Sequence, residues 1–266
     1  MTFDEDLDLR PLEEGSWKGR IEGRWWTPRG PLGGFVMALI LRALEKAVAD
    51  ADRQARSLTV QFLRPPAEGA VTVKPLIERA GRGLTNASAR LEQDGRVIAL
   101  GLATFAGPRE GPELTESPMP EVEPPGEREQ PRRELPGAEA PNFVELLSTQ
   151  PRFGSEPFSR AANALTGGWI GLREPREVDA AALCVLADAW YPAPWPRLAG
   201  LAPAPTVEMS VYFRAPLPQP DALLLGRFRS AQVRDGYFDE DGELWMPDGT
   251  LVAQSRQLAI LFGASV

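Results

Sequence analysis

Asp188 is the side chain best placed to do chemistry. It closes the apolar run AAALCVLAD, which reads as a helix opened by Asp179, a good N-cap. A carboxylate on so apolar a helix is costly to bury unless it is hydrogen-bonded. It could activate a water as general base or attack an electrophilic carbon directly. Its alternative is structural: reaching solvent, or capping the next turn. A second feature is the turn GPLGGF, ending at Phe35, which leads into another apolar helix. A helix start offers unpaired N–H groups at the positive end of the dipole. The N–H groups near Gly34 and Phe35 are therefore candidate donors to an oxyanion. Gly33 and Gly34 could equally serve only close packing of that helix.

What is missing narrows the chemistry. The chain has no histidine and one cysteine, Cys184. Ser-His-Asp and Cys-His nucleophile systems are thereby removed, as are His-based metal sites and zinc sites generally. No GxGxxG or GxxxxGK[ST] stretch supports a nucleotide loop. Any catalysis must rest on carboxylates, hydroxyls, amides, backbone N–H groups or a cofactor. The net charge of -8 argues against nucleic acid as a partner. A lone cysteine, no leader-like N-terminus and no apolar run of spanning length predict a cytoplasmic protein without a membrane partner.

The elements that must position Asp188 come as a half-repeat. TVQFLRPP from Thr59, followed later by EQDGRVIALGLATFAG, is matched by SVYFRAPL from Ser210 and MPDGTLVAQSRQLAILFG. Each half thus has an alternating strand before proline and a strand pair joined at Asp-Gly, a strong hairpin signal. Helix is predicted over 33–49, and strands over 57–63, 70–80, 84–93 and 96–105. In the second half the Asp179 helix is predicted to run through Trp190. Strands are predicted over 143–152, 164–173, 206–214, 222–231, 235–245 and 250–262. Residues 1–27 read as a hairpin of two short strands. One helix followed by antiparallel strands, twice over, is an α+β pattern. The expected division is a first unit over 1–107, a Pro/Glu-rich linker over 108–141 and a second unit over 142–266. The linker reads as solvated, a mere connector with little apolar surface to pack.

These stretches carry a family resemblance. LADAWYPAP, PTVEMSVYFRAP and MPDGTLVAQSRQLAI resemble the C-terminal half of acyl-CoA thioesterase II type proteins. GPLGGFVMALILRAL, TVQFLRPP and GR…EQDG resemble their first half. The resemblance implies a double hotdog, two fused units that each wrap an antiparallel sheet around a long helix. It further implies a water held by an Asp, a hydroxyl and a Gln for attack on a thioester carbonyl. At matching positions stand Asp188, Thr206 and Gln257. Gln254 lies an odd number of residues from Gln257, so in a regular strand it faces the other way. The repeat sets Gln257 against Ala103, so one site per chain is expected. Phe35 departs from the family pattern, which often has Gln there.

The resemblance also implies a CoA ester as substrate, and CoA carries phosphates. Arg79, Arg82 and Arg256 are the candidate phosphate partners. The expected function is hydrolysis of an acyl-CoA to free acid and CoA, with no metal or other cofactor, by a single chain or a homodimer of such chains. The first alternative is a non-catalytic acyl-CoA or lipid-binding protein on the same fold. Others are a hydratase, disfavoured without histidine, and a hydrolase of carrier-protein thioesters, disfavoured by the acidic surface.

Overall fold

The computed structural model describes residues 2–128, 134–135 and 138–263. Eleven strands form the body of one antiparallel sheet. In the first half these are β1 (Trp17–Ile21), β2 (Gln54–Phe62), β3 (Gly69–Ala80), β4 (Thr85–Gln93) and β5 (Arg96–Ala106). In the second half they are β6 (Leu147–Gly154), β7 (Leu165–Leu172), β8 (Thr206–Phe213), β9 (Leu224–Arg229), β10 (Tyr237–Trp245) and β11 (Leu251–Ile260). Their spatial order is β1-β3-β4-β5-β2-β8-β11-β10-β9-β7-β6, with two-residue strands added on β1 and β10.

The order reads the same from both ends of the repeat. The halves join where β2 pairs with β8, and there Thr59 lies opposite Ser210. These are the two residues that the internal repeat aligns, so a pseudo-twofold axis passes between them. Their hydroxyls share a hydrogen bond of 2.8 Å. Each half-sheet curves over a helix, giving the double hotdog that the family resemblance implied.

Three α-helices occur among the described residues: a capped turn α1 (Phe3–Asp6), α2 (Gly33–Val48) and α3 (Ala180–Leu186). Helix α2 buries Phe35 to Leu41 without a break, which is why its sequence is apolar all round at this end. Helix α3 is buried along its whole length and is capped by Asp179, whose carboxylate accepts from Ala182 N–H at 2.8 Å. It is two turns long, shorter than predicted. Residues 187–188 form a turn instead, because Tyr191 precedes a proline and is kept out of helical geometry, and Asp188 is drawn to the start of α2.

Two further expectations change. The N-terminal hairpin forms only as the short pair of Arg10–Pro11 with Trp17–Lys18; β1 also joins β3, and Trp26–Thr27 pairs instead with Gly30–Pro31. The run from Asn142 to Leu146 is a 3-10 turn rather than strand.

The proline-rich segment is not a solvated connector. Its residues 117–128 dock on the second half-sheet, whereas Leu114 before them is exposed. The indole N–H of Trp169 donates to Glu123 C=O at 2.9 Å, and that of Trp245 to Ser117 C=O at 3.0 Å. Gln150 accepts from Gly126 N–H at 2.9 Å and donates to Glu127 C=O at 2.7 Å. Met119 and Val122 pack on the cluster of Trp169, Leu223, Leu225 and Trp245. Few large side chains suffice here because the backbone carbonyls make the bonds, and proline leaves those carbonyls free to accept. Replacing residues 112–127 by a Gly/Ser segment of equal length should lower the melting temperature by roughly 5–10 °C. An unchanged melting curve would show that the docked segment contributes nothing.

Candidate active site

The start of α2 has no side-chain cap of its own; Leu32 occupies the N-cap. Its free N–H groups are met from across the half-to-half contact by Asp188. One carboxylate oxygen, Oδ2, accepts from Gly34 N–H at 2.7 Å, and Gly33 N–H also stabilises the charge. The approach requires glycine. A Cβ on Gly34 would lie 2.4 Å from the Cys184 carbonyl oxygen and 3.0 Å from Asp188 Cβ. Removal from bulk water pushes the Asp188 pKa up to about 7, against the opposing pull of these two N–H groups.

This geometry corrects the oxyanion assignment. Gly34 N–H is spent on Asp188, and Phe35 N–H bonds Leu32 C=O at 3.1 Å. An uncapped helix start takes the nearest anion, and here that anion is a side chain of the same protein. The Phe35 ring is fully buried and stacks on Trp25 at 4.8 Å, away from the site.

Strands β8, β10 and β11 bring the remaining polar groups together. Thr206 opens β8, and its hydroxyl donates to Gln257 Oε1 on β11 at 2.8 Å. Gln257 Nε2 donates to Glu240 Oε1 on β10 at 2.8 Å. Glu240 Oε2 accepts from Ala193 N–H at 2.5 Å. Burial first, and then the Asp188 charge, push the Glu240 pKa up to about 7 against these bonds. Gln254 faces the other side, where it accepts from Arg214 at 2.9 Å.

Glu240 is the site residue that sequence reasoning missed. A signal was available. In YFDEDGELW the alternation puts Phe238, Glu240, Gly242 and Leu244 on one face, and the flanking members are apolar and buried. A carboxylate on that face must be buried. The many surrounding acids made the whole strand read as solvated.

Asp188, Thr206, Gln257 and Glu240 all line one cavity of about 760 Å³ between the two halves. Gly33, Val36 and Phe62 come from the first half, and Phe143, Trp190 and Phe238 from the second. The repeat aligns Thr206 with Ala55 and Gln257 with Ala103, both buried, so the first half holds no second copy of this polar set.

The arginine assignments change. Arg79 and Arg82 are exposed around the β3–β4 loop and do not line the cavity. Arg256 lies on the outer sheet face, paired with Asp241 at 2.8 Å and Asp239 at 3.2 Å. It precedes Gln257, and strand alternation sends neighbours to opposite faces. The cations lining the cavity, among the described residues, are Arg29 and Arg64. Arg29 sits over the Phe262 ring at 4.9 Å, and Arg64 donates to Val97 C=O at 2.7 Å.

Comparison with known proteins places this geometry in a group. Residues 117–261 match the model of the acyl-CoA thioesterase C-terminal domain, and residues 22–106 match that of the acyl-CoA thioesterase N-terminal domain. A conserved hot dog fold protein of unknown function from Alicyclobacillus acidocaldarius superposes with a TM-score of 0.86 at 30% identity, over 99% of this chain and 98% of its own. An uncharacterized protein of Mycobacterium tuberculosis is 26% identical over 97% of this chain and 98% of its own length. The acyl-CoA thioesterase II TesB2 of Mycobacterium marinum shares the fold, with a TM-score of 0.78 at 22% identity over the full length of both chains.

Proposed function

This chain belongs to the acyl-CoA thioesterase family, and from that premise we propose that it hydrolyses an acyl-CoA to free acid and CoA in the cavity between its halves. The observation that carries the reading is that Asp188 and the hydrogen-bonded pair Thr206–Gln257 line one and the same cavity. A water there can donate one hydrogen to Asp188 and the other to Thr206 Oγ1, whose own hydrogen is committed to Gln257. Both water hydrogens are then held, and a lone pair faces the thioester carbon. As the C–O bond forms, Asp188 takes the proton and negative charge builds on the carbonyl oxygen. Gln257 Nε2 has two hydrogens; Glu240 accepts one, and the other can face that oxyanion. Collapse expels the CoA sulfur, which leaves as thiol with the proton that Asp188 returns.

The acyl chain would lie along Val36, Phe62, Phe143 and Trp190, and Arg29 and Arg64 would meet the CoA phosphates. The division into 1–107, 108–141 and 142–266 remains our working description of the units. The test of the function is thiol release from short, long and aromatic acyl-CoAs. Turnover of at least one class is expected; saturable binding without turnover would establish the binding-protein alternative.

The pH dependence follows from Asp188. It must be ionised to accept a proton, so kcat/KM should rise about tenfold per unit up to a pH near 7 and level off above it. Asp188 and Glu240 influence each other, so the inflection belongs to the pair. A flat profile from pH 5 to 9 would remove Asp188 as the base.

A further inference from the structure

Glu240 is a buried carboxylate that the hydrolysis above does not consume. It is only 5% exposed, on an otherwise apolar strand face, and both of its oxygens are engaged. We infer that Glu240 is a positioning residue of this site: it fixes the direction of the hydrogen-bond chain that runs from Ala193 N–H through Glu240 and Gln257 to Thr206. The inference rests on the thioesterase reading.

A Thr–Gln pair alone has no fixed direction. An amide can turn over, exchanging its donor for its acceptor, and a hydroxyl can follow. The one member of this chain that cannot turn is the backbone N–H of Ala193, always a donor. An ionised Glu240 accepts at both ends, so Gln257 must present Nε2 to it. Gln257 Oε1 is then left for Thr206, and the Thr206 hydrogen is directed at Gln257 rather than at the water. Were the amide reversed, that hydrogen would point at the water, which would lose one of its two acceptors. Glu240 also joins two pieces of the site. Ala193 belongs to the loop that begins at Asp188, whereas Thr206 and Gln257 lie on strands.

The test is a cycle of E240Q, Q257E and the double variant E240Q/Q257E. In E240Q the Ala193 N–H claims the new amide oxygen. The new NH₂ group then faces Gln257 and reverses it. The expected result is a kcat about 30-fold lower with KM within about twofold, since binding is untouched. Q257E sets two carboxylates against each other and should be slower still. In the double variant the amide at position 240 accepts from Ala193 N–H and donates to the carboxylate at position 257, which accepts from Thr206. The native direction returns at Thr206, and kcat should recover about tenfold over Q257E, while the loss of the Gln257 N–H that faces the oxyanion keeps it well below wild type. A role in packing alone would produce no such recovery. E240Q with wild-type kcat, or a double variant no faster than Q257E, overturns the inference while leaving the thioesterase reading standing. Absence of thiol release by the wild type overturns both.

Discussion

Asp188→Asn should lower kcat about a thousandfold, while the dissociation constant for acyl-CoA stays within about threefold. Asparagine keeps an oxygen for Gly34 N–H, so the loop and cavity are retained. What is lost is the ability to take a proton. The same substitution should raise stability, and the sign can be worked out. The folded carboxyl titrates near 7, well above the usual carboxylate range. Between pH 4 and 7 the native state holds a proton that the unfolded chain has released. Stability is therefore greatest at low pH and falls as pH rises through 7. Asparagine carries no such burden. At pH 8.5 the variant should melt roughly 5 °C above wild type, and at pH 4 the two should coincide. Calorimetry at the two pH values checks this, alongside kcat and direct binding. A variant with full turnover would remove Asp188 from the chemistry. One that melts lower at pH 8.5 would show that its charge is well solvated in the fold.

Gly34→Ala should destabilise the protein by about 3 kcal/mol and abolish most activity with it. The added methyl would meet the Cys184 carbonyl oxygen at 2.4 Å and Val185 Cα at 2.9 Å, both backbone atoms of α3. Backbone cannot swing aside, so α2 and α3 must separate, and the N–H that holds Asp188 moves with them. Gly33→Ala is the contrasting case. Its methyl would meet Asp188 Oδ2 at 3.0 Å and Phe62 Cζ at 3.1 Å, both ends of side chains. It should melt near wild type but with reduced kcat, because the group displaced is the reacting carboxylate. Equal melting temperatures for Gly34→Ala and wild type would show that the two helices are not locked at this contact.

The sequence made the frame legible because the same pattern occurs twice. The Asp-Gly turns and the alternation around Thr59 and Ser210 predicted the strands to within a few residues, and Thr59 and Ser210 prove to face each other across the pseudo-twofold axis. Asp188, Thr206 and Gln257 were legible as residues, and the cavity they share supports the roles proposed for them. What escaped depends on contacts between the halves. The partner of Gly34 N–H is a residue 154 positions away, and local sequence does not display such a contact. The docking of residues 117–127 escaped because it uses backbone carbonyls, which composition does not report. Arg256 was misassigned by its neighbour: adjacency to Gln257 along a strand means the opposite face.

The most direct test of the central claim is a single turnover in H₂¹⁸O with enzyme in excess over acyl-CoA, followed by mass analysis of the released acid and of the Asp188 peptide. If water held by Asp188, Thr206 and Gln257 attacks the thioester, the acid of the first turnover carries one ¹⁸O atom and the peptide carries none. Unlabelled acid with ¹⁸O in Asp188 would mean that the carboxylate itself attacked. No acid from any acyl-CoA would mean that this cavity does not hydrolyse the ester.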